Sequence, residues 1–253
     1  NLASTPTKIA IVRDEVKLKA QEAKAEVRTI KLPVEMAPEK LTAKDPAETA
    51  ETLAEGRVLI LRLPSFYSDF AGKQNGEDDY RSATRDVEKL IAGALAEGEI
   101  DGLVLDIRSN GGGSLEEAIK IAGLFFDEGP VVQVRSSGMH TQVYRDTDRK
   151  TLYDGPLVVL VDRLSASASE IVAAAIQDHH RGVIIGDHST HGKGTVQTVL
   201  DLKRFFARHP IFSTEETGAL KFTIAKYYRV NGGSVQRRGV VPDISFPSFT
   251  DYM

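Results

Sequence analysis

Short apolar runs separated by helix-patterned segments are the feature that most constrains the fold of this 253-residue chain. Each run is five to seven residues long, which suits a buried strand. The runs are VLILRL (58–63), GLVLDIR (102–108), VVQVR (131–135), PLVVLVD (156–162) and GVIIG (182–186). Apolar residues at helical spacing occur at 79–97, at about 115–126 and at about 168–179. This alternation predicts an α/β fold with right-handed crossovers between strands.

The two ends of the chain have other patterns. Further β-like runs follow the last predicted helix at 195–202, 221–230 and 239–244. Residues 8–19 alternate between apolar and polar side chains and predict one strand or a bent strand pair, and a short strand is expected at Val27–Leu32. Segment 36–56 is acidic, proline-punctuated and nearly free of large apolar residues, so we interpret it as a surface excursion or linker.

Composition and charge exclude several classes of site. The chain has no cysteine, which excludes a thiol nucleophile, a Cys-ligated zinc ion and any disulfide. A net charge of −4 and a pI of about 5.9 argue against nucleic acid as the main partner. No apolar run approaches the roughly 20 residues of a membrane-spanning helix. The first residues show neither a signal-peptide pattern nor an initiator Met, so a fragment or processed form is expected.

A glycine-rich loop, Asn110-Gly111-Gly112-Gly113, follows the predicted strand at 102–108. Successive backbone N–H groups in such a loop can form an anion-binding nest, helped by the N-terminus of the following helix. The same glycines also suit a tight turn with unusual backbone angles. The dinucleotide fingerprint G-x-G-x-x-G is absent. The loop is therefore either a tight turn or an anion site.

Three serines, at positions 165, 167 and 169, alternate with alanines after the predicted strand at 156–162. A serine at the start of a helix caps free backbone N–H groups, so capping is one explanation. Three serines exceed what capping requires, however. A nucleophile at a strand-to-helix turn gains from the helix N-terminus, whose amides stabilise an oxyanion. Spacing alone leaves both interpretations open.

A lysine between two glycines, Gly192-Lys193-Gly194, precedes the predicted strand at 195–202. The P-loop pattern G-x-x-x-x-G-K-[ST] is not met, because Gly186 lies six residues before Gly192 and Gly194 follows the lysine. Flanking glycines let neighbouring backbone approach and remove solvent from the lysine, as a neutral lysine base requires. A solvated surface lysine is the alternative.

Histidines offer rival sites. His179 and His180 adjoin Asp178, which would allow the Ser-His-Asp triad of an esterase, although no G-x-S-x-G elbow is present. His188 and His191 lie near the lysine turn and are candidate metal ligands, although no H-E-x-x-H or similar spacing supports them. We therefore expect neither a metal site nor a cofactor.

Taken together and in this order, the three features resemble the tail-specific, or C-terminal processing, peptidases of family S41. The matching stretches are DIRSNGGG (106–113), VVLVDRLSASASEIVAAAIQD (158–178), GKGTVQ (192–197) and YYRVNGGSVQRRGVVPDI (227–244). The resemblance covers about residues 57–245 and is strongest to the Prc/Tsp-like branch. It implies a crotonase/ClpP-like core of repeated β-β-α units, which is compatible with the predicted order of strands and helices.

The resemblance also implies roles for the motif residues. The family's nucleophile, the middle serine of its Ser-Ala repeat, falls on Ser167, and its general base falls on Lys193. The glutamine four residues after that lysine, Gln197, helps to orient it. An aspartate eleven residues after the nucleophile supports the site in this branch, and here that residue is Asp178.

The oxyanion hole of the family combines the amides of Ala168 and of a glycine in the loop, for which we expect Gly112. The chain departs from the family pattern at two points. His191 stands where phenylalanine is usual, and the stretch 186–193 is one residue longer than the usual turn. A displaced Lys193 would transfer a proton poorly.

The family normally carries a PDZ domain before its protease core, and residues 8–19 look like the last strand of such a domain. We therefore expect three parts along the chain. These are the last strand or strands of a truncated PDZ domain at 1–20, a connecting strand and polar insertion at 21–56, and the protease core at 57–250.

The expected function is that of a serine endopeptidase with a Ser-Lys dyad, acting through an acyl-enzyme without a metal or cofactor. The resemblance implies protein substrates bound through unstructured, apolar C-terminal ends, an adaptor lipoprotein as a further partner, and a periplasmic or otherwise extracytoplasmic bacterial location. A nucleic-acid partner and a direct membrane span are not expected. The alternatives are a non-catalytic binding or scaffold protein on the same fold and a Ser-His-Asp esterase.

Overall fold

The computed structural model describes residues 22–33, 53–138, 140–147, 150–202 and 218–247. The predicted strand at 8–19 and most of segment 36–56 lie outside these ranges. The elements in chain order are β1 (Lys24–Pro33), β2 (Leu53–Arg62), α1 (Phe70–Asn75), α2 (Ala83–Ala96), β3 (Gly102–Asp106), α3 (Leu115–Gly123), β4 (Gly129–Ser136), β5 (Gln142–Asp146), β6 (Leu157–Val161), α4 (Ala168–Asp178), β7 (Val183–Gly186), β8 (Thr195–Asp201), β9 (Ala219–Tyr228) and β10 (Ile244–Ser245).

Six strands form the central sheet, in the order β1-β2-β3-β6-β7-β10. The neighbours from β2 to β10 run parallel, and β1 pairs antiparallel with β2 at one edge. The strand expected at Val27–Leu32 is the middle of β1, so the chain before Arg57 contributes a strand to the core sheet. β2 likewise begins at Leu53, inside the segment interpreted as a linker, because its first residues continue the ladder with β1.

One row of apolar side chains crosses the middle of this sheet. Leu61, Leu105, Val159 and Ile184 are register neighbours on β2, β3, β6 and β7, and all four are fully buried. Burying each such side chain contributes roughly 2 kcal/mol. Helices α2, α3 and α4 add a fully buried isoleucine each, at positions 91, 121 and 176. Within the described ranges, no helix is both long and apolar enough to span a membrane.

Serine caps set where two of the helices begin. Ser82 Oγ accepts from Arg85 N at the start of α2, and Ser114 Oγ accepts from Glu117 N at the start of α3. The buried Glu117 carboxylate then accepts three hydrogen bonds at one oxygen, from Ser82 Oγ and from both the amide and the hydroxyl of Thr84. These bonds join the first turns of α2 and α3, next to the glycine loop.

A second sheet of four strands has the order β5-β4-β9-β8 and is antiparallel. Its strand β8 begins two residues after Lys193, so this sheet carries the lysine turn. Of the strand predicted at 239–244, only the last residue, Ile244, belongs to an observed strand, β10. The residues before it form a loop that binds the lysine turn. β5 and α1 were not predicted from the sequence, since their mostly exposed residues have little apolar periodicity.

Candidate active site

Ser167 lies in the turn between β6 and α4, at the carboxyl end of the parallel sheet. Its backbone angles are φ 58° and ψ −112°, a combination that residues other than glycine rarely adopt. Such a conformation costs about 1–3 kcal/mol. A strained strand-to-helix turn of this kind presents the nucleophile in other hydrolases. Here Ser165 and Ser169 occupy the positions of the two glycines of the G-x-S-x-G elbow.

The three alternating serines have different environments. Ser165 and Ser169 are fully buried. Ser165 Oγ donates to Ile107 O and Ser169 Oγ donates to Asn110 O, both at 2.8 Å, which ties the serine turn to the end of β3 and to the glycine loop. Ser167 is partly exposed. Of the three serines, it is therefore the one that a substrate can reach.

The glycine loop is a tight turn packed against the serine turn. The fully buried Asn110 donates through Nδ2 to Leu63 O at 2.8 Å and accepts from Gly112 N at 2.9 Å. Gly112 has φ 104°, and a Cβ added there would lie 2.8 Å from Ser167 Cβ. The Gly112 amide expected in the oxyanion hole is thus bound to Asn110. The amide of Ala168 belongs to the first turn of α4, where N–H groups have no intrahelical partner.

A buried carboxylate brings Lys193 beside Ser167. Oε2 of Glu170 accepts from Ser167 N at 2.8 Å and from Lys193 N at 2.9 Å. The two nitrogens therefore lie within about 6 Å of each other, the sum of those distances. Lys193 Nζ donates to Gln197 Oε1 at 3.4 Å. The structure thus brings together three of the residues predicted from the sequence: Ser167, Lys193 and Gln197.

Glu170 is a residue of this site that sequence reasoning missed. It is fully buried, and its other oxygen accepts from Thr190 Oγ1 and Gly192 N, each at 2.6 Å. Four hydrogen bonds and the N-terminus of α4 stabilise the charge on this carboxylate. A signal was present in the sequence, because Ser167-x-x-Glu170 has the spacing of a capping box, in which the glutamate accepts from the N-cap amide.

Tyr227 on β9 joins the same two turns by a second route. Its hydroxyl lies 3.2 Å from Ser167 O and 2.5 Å from Lys193 O. Burial raises the pKa of Tyr227, and the neighbouring Glu170 carboxylate raises it further. The hydroxyl therefore stays protonated and acts as a donor to the backbones of both predicted catalytic residues.

The segment 234–240, called the strap here, closes over the lysine turn. Gln236 Oε1 accepts from Gly194 N at 2.8 Å, and Arg237 N donates to Gly192 O at 2.8 Å. Gly192 has φ 88°, and a Cβ added there would lie 2.9 Å from the carbonyl carbon of Arg237. A glycine is required at this position for the strap to approach so closely.

The turn before Lys193 is held at two positions, Thr190 and His191. Thr190 N donates to Val240 O at 3.1 Å, and Thr190 Oγ1 accepts from Val240 N at 2.8 Å. His191 N donates to Ser165 O at 3.0 Å, while the His191 residue is exposed. These backbone bonds anchor the turn to the strap on one side and to the serine turn on the other.

Asp178 lies far from Ser167 and Lys193, so the structure does not support a direct catalytic role for it. It ends α4, the helix that Ser167 begins, which separates the two residues by about 16 Å at 1.5 Å per residue. Its carboxylate pairs with Arg229 at 2.7 Å and accepts from Asn231 Nδ2 at 2.9 Å. The Asp178–Arg229 pair is largely buried. It holds the segment that leads from β9 into the strap, so its support of the site is indirect.

The histidine alternatives do not form a site with Ser167. His179 follows the last residue of α4, about 18 Å from Ser167 along the helix. Its Nε2 bonds to Pro130 O at 2.8 Å and its ring stacks on Phe126 at 4.4 Å, while His180 is exposed beside it. The esterase triad is therefore wrong, because α4 separates its members. In the part of the chain that the structure describes, no three His, Cys, Asp or Glu side chains group as a metal ion requires.

The chain is similar to several known proteins. The model of peptidase family S41 matches residues 57–246. A tail-specific protease of Haemophilus influenzae is 39% identical over 243 residues, which cover 96% of this chain and 29% of that protein. A carboxy-terminal-processing protease of Bartonella bacilliformis is 37% identical over 191 residues, 75% of this chain and 39% of that protein. The solved structure of a photosystem II D1 C-terminal processing protease is similar with a TM-score of 0.62 and 26% identity, covering 90% of this chain and 50% of that one.

The fold is an α/β core of the crotonase/ClpP-like type, in which a serine at a helix N-terminus lies beside a glycine-flanked lysine. The chain belongs to peptidase family S41. It spans about a third of the length of the two curated relatives.

Proposed function

We propose that this chain is the catalytic core of a serine endopeptidase in which Ser167 is the nucleophile and Lys193 is the general base. The observation that carries this proposal is the single oxygen of Glu170 that accepts from the amides of both residues. Membership of peptidase family S41 supports it independently. Both Ser167 and Lys193 are partly exposed, so a peptide can approach them.

In the proposed reaction, the neutral amine of Lys193 takes the hydroxyl proton of Ser167 as Oγ attacks a peptide carbonyl carbon. The resulting ammonium gives that proton to the leaving amine, and an acyl ester remains on Ser167. The regenerated amine then deprotonates a water molecule, which attacks the ester carbonyl. The Lys193 ammonium returns the proton to Ser167 Oγ as the acyl–Oγ bond breaks and the new C-terminus leaves. Gln197 positions Lys193 by accepting a hydrogen bond from Nζ.

The oxyanion of the tetrahedral intermediate requires hydrogen-bond donors. The Ala168 amide is the first proposed donor, and its place in the first turn of α4 adds the favourable helix dipole. The Gly112 amide is the second proposed donor. To act, it exchanges its bond to Asn110 Oδ1 for one to the oxyanion.

The proposed substrates are proteins with unstructured, apolar C-terminal ends that bind in extended form. The two curated relatives are named for tail-specific proteolysis and carboxy-terminal processing, which supports this class. An adaptor lipoprotein as a partner and an extracytoplasmic bacterial location belong to the same proposal and rest on family membership alone.

The test is cleavage of an unfolded protein with an apolar C-terminus by the full-length protein that contains this chain. Its Ser167→Ala and Lys193→Ala variants should each lose at least about 1000-fold in rate, with an unchanged circular dichroism spectrum. Lys89→Ala, at an exposed lysine on α2, is the matched control and should cleave like the parent.

A fluorophosphonate should label Ser167 in the parent protein. Normal cleavage by Lys193→Ala would overturn the assignment of the base. Absence of both cleavage and labelling in the parent would instead favour a non-catalytic binding protein on the same fold.

A further inference from the structure

The four-stranded sheet leaves one side of β9 partly open. β4 pairs with β9 only as far as Ser136, which is opposite Ala225, whereas β9 begins six residues earlier at Ala219. On its other side, β9 is paired with β8 from Ala219 onward. Among the described residues, no strand pairs with 219–224 on the β4 side. This open edge presents a row of N–H and C=O groups to which another strand can bind.

Two cations face each other where the open edge meets β4. Arg135 and Lys226 are directly opposite in the β4–β9 ladder, and both are exposed because Val134 and Tyr227 take the buried face. Like charges directly opposite across two strands repel each other. Within the described ranges, neither cation has a carboxylate partner. An anion between them would relieve this repulsion.

A cleft of about 510 Å³ lies at the same place. It is lined by Arg135 and Lys226, by the last residue of β4 and the turn at 137–138 that follows it, and by Thr223 and Ile224 on the open edge. Because the chain bends away from β9 in that turn, the cleft occupies the position into which a continued β4 would extend.

Apolar side chains accompany the open edge. Leu220, Phe222 and Ile224 are 51%, 40% and 44% exposed. An open strand edge with exposed apolar side chains invites pairing with another chain. The open backbone, the apolar side chains and the two cations together fit a ligand of one kind. This ligand is an extended segment with a negative charge at its β4 end.

We propose that this surface, the β9 edge (219–224 with Arg135 and Lys226), binds an extended peptide segment of a partner protein. The segment adds to the sheet as a strand beside β9, in line with β4. An acidic side chain at its β4 end lies between Arg135 and Lys226, and its apolar residues cover Phe222 and Ile224. Main-chain hydrogen bonds supply affinity, and the acidic residue sets the register.

The β9 edge is separate from the catalytic group. The Tyr227 side chain turns from β9 to Ser167 and Lys193, whereas the neighbouring Lys226 is exposed on the other face of the sheet. Binding at this edge therefore stands whether or not Ser167 hydrolyses peptides.

The test uses the full-length protein with Ser167→Ala, so that no probe is cleaved. The probes are two labelled peptides with blocked ends, Glu-Val-Thr-Val-Thr-Val and Val-Thr-Val-Thr-Val-Glu, which cover both strand directions. At least one should bind in fluorescence anisotropy, and the double substitution Arg135→Glu with Lys226→Glu should weaken binding about tenfold or more. Arg145→Glu, at an exposed cation on β5, is the matched control and should bind like the parent.

Two further measurements identify the binding mode. Replacing the peptide's Glu by Lys should restore binding to the double variant, and N-methylation of alternate peptide amides should abolish binding to the parent. Hydrogen exchange at 219–224 should slow when the peptide is bound. Binding that survives the charge reversal, or that leaves exchange at 219–224 unchanged, overturns the proposal. Absence of binding by the parent at millimolar peptide also overturns it.

Discussion

At the scale of single residues, Glu170 accounts for the meeting of a serine and a lysine that are 26 positions apart in the sequence. One of its oxygens binds the amides of Ser167 and Lys193, and the other binds Thr190 and Gly192. All four partners are donors, so the site requires two acceptor oxygens. A carboxylate meets this requirement, whereas an amide side chain presents one oxygen and one NH₂ group.

Glu170→Gln should therefore leave two donors facing an NH₂ group. We expect a loss of about 2–3 kcal/mol in the free energy of unfolding. Proteolytic rate should fall by at least about 100-fold, because Lys193 loses its position beside Ser167. Urea denaturation and the cleavage assay measure the two effects.

Glu117→Gln is the matched control for this prediction, since Glu117 is also a buried glutamate. The three donors from Ser82 and Thr84 all reach one of its oxygens, which glutamine retains. The Glu117→Gln variant should therefore cleave substrate at a rate near that of the parent. A rate in Glu170→Gln equal to that of the Glu117→Gln control would contradict the role of Glu170.

At the scale of secondary-structure elements, α4 connects the serine turn at Ser167 to a distant ion pair. Ser167 precedes its first residue, and Asp178 is its last residue. Asp178 holds Arg229, and the chain after Arg229 forms the strap over the lysine turn. Asp178 can therefore affect activity without contacting the substrate, because it positions the strap.

Asp178→Asn should lower stability by about 3 kcal/mol, since it leaves the largely buried Arg229 without its charge partner. The cleavage rate should fall as the strap loosens, but the shape of the pH–rate profile should not change. Thermal unfolding and the pH dependence of kcat/KM measure these effects. Glu116→Gln, in an exposed pair with Lys120, serves as control and should cost less than about 1 kcal/mol. A shifted pH–rate profile in Asp178→Asn would show that Asp178 takes part in proton transfer.

Elements with apolar periodicity were predicted well from the sequence, and those without it were not. The runs that became β3, β6 and β7 were each located within two residues of their observed bounds. β5 and α1 were missed because most of their residues are exposed. The place of β1 in the core sheet depends on its pairing with β2, which the local sequence does not specify.

At the scale of the whole molecule, stability should depend on pH through Asp106 at the end of β3. Burial alone would raise the pKa of Asp106, but hydrogen bonds from the side chain and amide of Arg108 hold it below its usual range. A depressed pKa contributes stability above the unfolded-state pKa of about 4 and loses it as the pH falls through the folded-state value. Asp106 should therefore stabilise the fold at neutral pH and not in strong acid.

Asp106→Asn should thus be less stable than the parent by about 1 kcal/mol at pH 7. The difference between the two proteins should shrink as the pH falls below about 4. Urea denaturation at a series of pH values measures it. A difference that stays constant down to pH 2 would show that Asp106 does not contribute through its charge.

The three-part division of the chain stays a prediction, and residues 1–20 lie outside the described ranges. The sequence by itself determined the α/β class and the buried strands, because apolar periodicity is a local property, and its short motifs led us to propose Ser167, Lys193 and Gln197 for the site. Only the tertiary structure showed that Ser165 and Ser169 support Ser167, that Asp178 is remote, and that Glu170 joins the two turns. The physical reason is that burial and hydrogen-bond partners are set by segments far apart in the chain, as in the bond from Ser165 to Ile107.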